Sequence, residues 1–259
     1  MSVLAAIGLA VLPPLIMLWI VRRHDVFPEP PGVVWMTFFL GMAIVVPVLV
    51  VAVPVMTLSG VVISNPYLLG LVMASLGAGI PEEFFKFVVV RFYSANHRAF
   101  NEPMDGIVYG VAASLGFATL ENVIYTINFN FSFVVAILRA LTAIPMHGMV
   151  GAVMGWYVAQ WRFRPTSRGC NLLLALVIPM ALHSAYDFPM LTLSAMEAKG
   201  YAPADLELAL LLASLVIPLG VLIGMFVFIV VVTQRMRAAQ LRHQAMGGSE
   251  GVRLDGTSL

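Results

Sequence analysis

The chain has 259 residues, of which 61% are hydrophobic and 10% are charged. Soluble domains average about 45–50% apolar and about 25% charged residues, so this composition excludes a soluble globular protein as well as intrinsic disorder. The net charge of +1 gives no reason to expect nucleic acid as a partner, and the single cysteine, Cys170, excludes an internal disulfide. The composition predicts a helical protein that crosses a membrane several times.

Seven segments are long and apolar enough to cross a bilayer, which requires about 20 residues each. They cover residues 2–21, 33–63, 67–91, 104–127, 133–160, 171–193 and 207–233. Pro47 and Pro54 leave open whether the second segment is one span or a span plus a re-entrant piece. We therefore predict an all-α, polytopic bundle of about seven transmembrane helices.

The basic residues alternate from one connection to the next. Eleven of the 14 Lys and Arg residues lie after segments one, three and five or in the C-terminal tail, whereas the other connections contain only Lys199. The positive-inside rule then places the N-terminus outside and the C-terminus inside. We expect residues 1–234 to form one transmembrane domain with a site-bearing core at about 75–190. Residues 235–259 are expected to form a cytoplasmic, partly disordered tail.

Away from the segment ends, eight ionisable residues lie inside the apolar segments three to six: Glu82, Glu83, Lys86, Glu121, Arg139, His147, His183 and Asp187. Each would cost about 2.5–3.5 kcal/mol at the bilayer centre if it faced lipid. We therefore expect them to share a polar interior, which is the usual indication of a functional site in a membrane protein.

Helical spacing supports this shared interior. Glu82 and Lys86 are four residues apart and can form an ion pair, and His183 lies one turn before Asp187. Small-residue stripes that include Gly106 and Gly110 in segment four and Gly151 and Gly155 in segment five predict close helix approach and room for water. Pro145 predicts a kink in segment five, and Pro81 predicts an opening in segment three.

Several chemistries fit two histidines and several carboxylates in one pocket. Zinc accepts imidazole nitrogen and carboxylate oxygen, and a nearby glutamate can take a proton from water. Without metal, a glutamate can activate water while a histidine stabilises the oxyanion. A proton or ion relay in a transporter, a non-catalytic scaffold and a purely structural ion pair between Glu82, Glu83 and Lys86 stay open.

The motifs resemble those of the PrsW family of intramembrane proteases, which is distantly related to the CAAX-prenyl protease and bacteriocin-processing group. Residues 82–86 read EExxK, residues 117–121 read FxxxE with Asn122 following, and residues 183–187 read HSAYD. Between them lie the run 104–110, Arg139 and the PMH run at 145–147. The resemblance covers about residues 75–190.

The resemblance implies a multi-pass peptidase of a prokaryotic plasma membrane, of metallopeptidase type. Its substrate would be a membrane-bound protein, such as an anti-sigma factor, whose identity stays open together with the oligomeric state. The family pattern marks as essential Glu82, Glu83 and one or both of His147 and His183.

We therefore expect Glu82 to be the general base, assisted by Glu83 and His183. Glu121, His147 and His183 are the expected ligands of a metal, with zinc as the first choice, or the groups that hold the oxyanion without one. Five further residues are expected to support these groups or to be structural: Lys86, Asn122, Arg139, Asp187 and Asp105. Asp105 is expected to cap the start of segment four.

Overall fold

The computed structural model describes residues 3–128, 130, 132–201 and 208–247. Across these residues the regular elements are helical, and seven helical runs are long and apolar enough to cross a membrane. We number them span 1 (Val3–His24), span 2 (Pro31–Val62), span 3 (Pro66–Asn96), span 4 (Pro103–Asn128), span 5 (Phe133–Phe163), span 6 (Arg168–Ala198) and span 7 (Leu208–Ala245). The predicted fold class and number of spans are confirmed, and the predicted orientation in the membrane stays a prediction.

Three of the spans are assembled from shorter pieces. Span 2 joins the helices Pro31–Ala43 and Val45–Val62, and span 5 joins Phe133–Leu141 and Ala143–Phe163. Span 3 runs through Pro66–Ala74, a π-helical turn Ser75–Gly79, Ile80–Val88, a second π-helical turn Val89–Tyr93 and a 3₁₀ turn Ser94–Asn96. A 3₁₀ turn, Pro165–Ser167, precedes span 6.

Span 2 is continuous apart from one turn residue, Ile44. The interruption lies three residues before Pro47, which has no N–H to donate to the carbonyl of Ala43 and whose ring crowds that carbonyl. Pro54 lies inside the second helix without breaking it. Residues 31–62 therefore form one nearly continuous helical run of 32 residues, which is long and apolar enough to be a single span.

Span 5 repeats this arrangement at Thr142, which separates its two helices. Pro145 follows three residues later and cannot donate to the carbonyl of Leu141. Where a kink was predicted at Pro145, the structure has a break between two helices at Thr142, three residues earlier. His147 is in the first turns of the second helix, just beyond the break.

Span 3 departs from α-helical geometry immediately before the residues of the EExxK motif. Its first π-helical turn, Ser75–Gly79, ends two residues before Pro81, which removes the hydrogen bond to the carbonyl of Gly77. The structure has a π-helical turn, and no break in the helix, where Pro81 predicted an opening. The π turn changes the rotation of the helix just ahead of Glu82.

Span 4 is the central helix of the bundle, because residues 102–119 are all buried. It packs most extensively against span 5 and then against span 2. Small residues permit this contact: a Cβ built on Gly41 of span 2 would lie 2.1 Å from the carbonyl oxygen of Ala113. Span 7, by contrast, exposes most of its side chains and lies at the periphery.

Contacts between the connections agree with the alternating arrangement of the spans. Arg162, at the end of span 5, donates a hydrogen bond to the carbonyl of Ala95, at the end of span 3. At the ends of spans 2 and 6, Lys199 Nζ donates to the carbonyl of Gly60 over 2.8 Å. The basic connections that follow spans 3 and 5 are therefore in contact, and Lys199 lies beside the end of span 2.

The first part of the expected tail is helical, because span 7 continues to Ala245. The expected disorder concerns the last residues of the chain, and residues 248–259 lie outside the described part of the structure. The division into one transmembrane domain and a tail stays a prediction.

Candidate active site

Lys86 is the centre of a buried polar cluster that begins on span 3. Its Nζ lies 3.3 Å from Glu82 Oε2 and 2.8 Å from Glu83 Oε1, since residues three and four apart share a helix face. The same Nζ lies 3.0 Å from Nδ1 of His147 on span 5. One ammonium group therefore connects both glutamates of the EExxK motif to a histidine of another helix.

His183 of span 6 contacts the same two glutamates. Its Nδ1 lies 2.8 Å from Glu83 Oε1, and its Nε2 lies 3.2 Å from Asp187 Oδ2 and 3.8 Å from Glu82 Oε2. The imidazole is 2% exposed, and its ring centroid is 5.1 Å from that of His147. The two histidines therefore stand edge to face at one site.

His147 is held through both ring nitrogens. Its Nε2 lies 2.9 Å from Glu121 Oε2, and its Nδ1 faces the Lys86 ammonium. Because a carboxylate only accepts and an ammonium only donates, the hydrogen-bond network assigns the proton to Nε2 and leaves Nδ1 as an acceptor. Phe117 packs beneath this pair, with its ring 4.2 Å from Lys86 Nζ.

Arg139 closes the far side of the cluster. Its Nη2 donates to Glu121 Oε2 over 2.7 Å, and its Nε donates to Asn122 Oδ1 over 2.5 Å. The guanidinium lies 3.8 Å from the ring centroid of Tyr125. Arg139 and Asn122 therefore fix the position of the carboxylate that holds His147.

The cluster is open on one side. The side chains of Glu83 and Lys86 are 0% exposed, whereas Glu82 is 10% exposed and Asp187 is 24% exposed. Glu121 and Arg139 are partly exposed as well. A molecule that approaches the cluster from the surface would therefore meet Glu82 before Glu83.

Four of the side chains could hold a metal ion together. Glu82, Glu83, His147 and His183 each offer one ligand atom, and these atoms all lie within 4.8 Å of one another. Two imidazoles and two carboxylates form a donor set that suits zinc, and Glu83 Oε2 is buried with no hydrogen-bond donor. The residues therefore fit a metal, and Glu121 lies outside this group of four.

The glycine-lined faces of spans 4 and 5 are filled by each other. A Cβ on Gly155 would lie 1.8 Å from the carbonyl oxygen of Gly106, and one on Gly110 would lie 2.1 Å from that of Gly151. The predicted close approach is confirmed. The prediction that these faces leave room for water is wrong, because the two backbones occupy the space.

Asp105 is not part of this cluster. It is 0% exposed, and its Oδ2 accepts hydrogen bonds from the amides of Asn101 and Glu102, as a residue that caps the start of span 4 does. Asp105 and Glu121 are separated by about 24 Å along the helix axis, at about 1.5 Å per residue.

Two aromatic contacts were not anticipated from the sequence. Phe117 packs against Lys86 and His147, and Tyr125 packs against Arg139. Both aromatic residues lie four positions from Glu121 and therefore on the same face of the helix. This spacing, with one aromatic residue a turn before the buried carboxylate and one a turn after it, could have indicated the contacts from the sequence.

The chain matches the sequence profile of one protein family. The profile described as "PrsW family intramembrane metalloprotease" matches residues 29–234. Protease PrsW of Geobacillus kaustophilus is 36% identical over 187 residues, which cover 72% of this chain and 78% of that protein. Protease PrsW of Bacillus subtilis is 35% identical over 169 residues, covering 64% of this chain and 73% of that protein.

A third relative, Protease PrsW of Clostridioides difficile, is 30% identical over 184 residues, which cover 70% of this chain and 76% of that protein. No solved structure matches the chain. With a family profile that covers most of its length and relatives of this similarity, the chain belongs to the PrsW family of intramembrane proteases.

Proposed function

We propose that this protein hydrolyses peptide bonds of membrane-bound proteins at the cluster of Glu82, Glu83, His147 and His183. The observation that carries the proposal is the convergence of these four side chains, from three spans, within 4.8 Å. Buried ionisable groups of this number are costly in a membrane protein unless they serve a function.

Glu82 is the general base in this proposal. Its contacts to Lys86 and His183 are 3.3 and 3.8 Å long, and it is the more exposed glutamate of the motif. It can therefore take a proton from a water molecule as the water oxygen attacks the carbonyl carbon. When the C–N bond breaks, Glu82 can return this proton to the leaving amine nitrogen, which completes the hydrolysis.

Glu83 is fixed in place rather than free to exchange protons. Lys86 and His183 both reach its Oε1 at 2.8 Å. Asp187 contacts the opposite nitrogen of His183 and so fixes the imidazole plane.

The metal is proposed to be zinc. Glu83, His147 and His183 would hold the ion, which when bound polarises the substrate carbonyl and makes water more acidic. Glu121 orients His147 through its contact with Nε2. The expectation that Glu121 is itself a ligand stays a prediction.

The substrate class follows from the family and from the location of the site. A site among membrane spans is suited to a protein that is itself anchored in the membrane, and an anti-sigma factor is one such substrate. We place the protein in the plasma membrane of a prokaryote, with the basic connections in the cytoplasm.

The test compares the wild type with Glu82→Gln in a bacterial host and maps new N-termini of membrane proteins by mass spectrometry. Glu82→Gln keeps the size of the side chain but cannot accept the proton, so the cleavage products should disappear. Glu197→Gln is the matched control, because Glu197 lies exposed near the end of span 6. Products that persist in Glu82→Gln at wild-type level would contradict the assignment.

A further inference from the structure

A second group of carboxylates lies at another place in the bundle. Asp25 and Glu29, in the connection between spans 1 and 2, meet Asp105 at the start of span 4. Each offers an oxygen, and these oxygens lie within 4.8 Å of one another. The three residues are 7%, 4% and 0% exposed.

Two buried oxygens of this group, Asp25 Oδ2 and Asp105 Oδ1, accept no hydrogen bond from an N–H or from a hydroxyl group of the described residues, and the Asp105 and Glu29 carboxyl groups contact each other. The other oxygen of each carboxylate is fully used: Asp25 Oδ1 accepts from the Phe27 amide and from Gln240 Nε2. A buried carboxylate oxygen without a donor is costly, so the arrangement indicates a missing positive partner.

The neighbouring hydrogen-bond donors are neutral, and among the described residues one cation, Arg22, acts on these carboxyl groups. Tyr109 donates its hydroxyl to Glu29 Oε2 over 2.5 Å, and Gln240 donates to Glu102 Oε1 over 2.5 Å, but both donors are neutral. Arg22 acts on Asp25 and Glu29, yet its Nη2 is bonded to the main-chain carbonyl of Glu29.

We propose that Asp25, Glu29 and Asp105 bind a hard divalent cation, Mg²⁺ or Ca²⁺, at a site separate from the active site. Carboxylate oxygens are the ligands that these cations prefer, and the group contains neither the nitrogen nor the sulfur donors that favour zinc. The ion fastens the connection after span 1 to the start of span 4. Because Gln240 bonds both Asp25 and Glu102, the site also holds the last turns of span 7.

The test uses Mn²⁺ as a paramagnetic probe on the full chain in detergent micelles, after treatment with a chelator. Electron paramagnetic resonance should detect Mn²⁺ that remains bound in Glu83→Gln, a variant of the active site. Competition with Mg²⁺ and with Ca²⁺ then identifies which ion displaces the probe at lower concentration.

The ligand variants are Asp25→Asn and Glu29→Gln, which keep side-chain size and remove the charge. Each should weaken Mn²⁺ binding by about tenfold or more, whereas Glu197→Gln should bind as the wild type does. Absence of bound Mn²⁺ in the wild type and in Glu83→Gln would overturn the proposal, because the carboxyl groups would then share protons instead. Binding that is lost in Glu83→Gln but kept in Asp25→Asn would also overturn it.

If the two ligand variants do not fold, the comparison of the wild type with Glu83→Gln still tests whether a second cation site exists. Probe bound in Glu83→Gln supports a second site, and probe absent from it contradicts one. These outcomes are independent of peptide cleavage, so the proposed function can fail without affecting them.

Discussion

Lys86 contributes the charge around which the candidate active-site residues assemble. Its ammonium is fully buried and touches Glu82, Glu83 and His147. In a medium of low dielectric constant a buried ammonium group is stable only while negative or hydrogen-bonding groups surround it. The two glutamates likewise need the ammonium to balance their buried negative charge. Lys86 therefore stabilises the fold and also supplies the positive charge of the cluster.

Replacement of Lys86 by methionine should destabilise the fold. The change leaves two buried glutamates without their cation, and breaking a buried ion pair from one side costs about 3–5 kcal/mol. The midpoint of thermal unfolding in detergent micelles measures the effect.

Lys199→Met is the control for this loss, because the half-buried Lys199 side chain makes one hydrogen bond among the described residues, to the carbonyl of Gly60. It should cost about 1 kcal/mol. Equal unfolding midpoints for the two variants would show that the Lys86 charge is not important for the fold.

The proposed division between base and ligands predicts different metal contents. Glu82→Gln should retain bound zinc while it loses cleavage, and His183→Ala should lose both. Elemental analysis of the purified variants measures zinc, and a strong chelator applied to the wild type should abolish cleavage until zinc is restored. Zinc loss in Glu82→Gln equal to that in His183→Ala would move Glu82 into the ligand set.

Much of this site could be predicted at the level of single residues. Glu82, His147 and His183 are unusual in apolar segments and lie at similar depths, so their convergence was expected. The sequence did not indicate that Lys86 would contact His147, because spacing relates residues within one helix and not the rotation of two helices about their axes. The second carboxylate group was missed for the same reason, since Asp25 and Glu29 lie in the connection after span 1 and Asp105 lies in span 4.

At the scale of helices, the interface between spans 4 and 5 depends on the absence of side chains. Gly155→Ala should destabilise the protein by about 1–3 kcal/mol, because its Cβ would lie 1.8 Å from the carbonyl oxygen of Gly106 and the helices would have to separate. Thermal unfolding of the purified variant measures the change.

Span 7 supplies the matched control. Gly224 has nothing within 4 Å of the position of a Cβ. Gly224→Ala should therefore be neutral or slightly stabilising, since alanine favours helix more than glycine does. A Gly155→Ala variant as stable as Gly224→Ala would refute the close contact.

Helix ends were predicted less well than helix number. The apolar criterion ends segment seven near residue 233, but the helix runs to Ala245, where Gly247 with φ of 88° follows. Hydropathy reports where the bilayer ends, whereas the hydrogen-bonded backbone continues until a residue of low helix propensity interrupts it. The breaks at Ile44 and Thr142 likewise precede their prolines, because proline acts on the carbonyl four residues earlier.

At the scale of the whole molecule, the orientation in the membrane can be tested with the protein's own thiol. Cys170 is the single cysteine of the chain, is exposed and lies at the start of span 6, after a basic connection. A maleimide that cannot cross membranes should label it only after the cells are permeabilised.

Lys199→Cys in a Cys170→Ala background provides the opposite case, because Lys199 follows the other end of span 6. It should be labelled in intact cells. Labelling of Cys170 in intact cells would reverse the predicted orientation.

The bond between Asp25 and Gln240 also sets an order of assembly. These residues are 215 positions apart, so their contact cannot form until the last span has left the ribosome. Until then the carboxylates after span 1 lack the amide that holds them, although spans 3 to 6, with the candidate active-site residues, have already been synthesised. The nascent protein thus contains the candidate site before Asp25 and Gln240 are joined, and a chain that stops short of Gln240 would leave that junction permanently open.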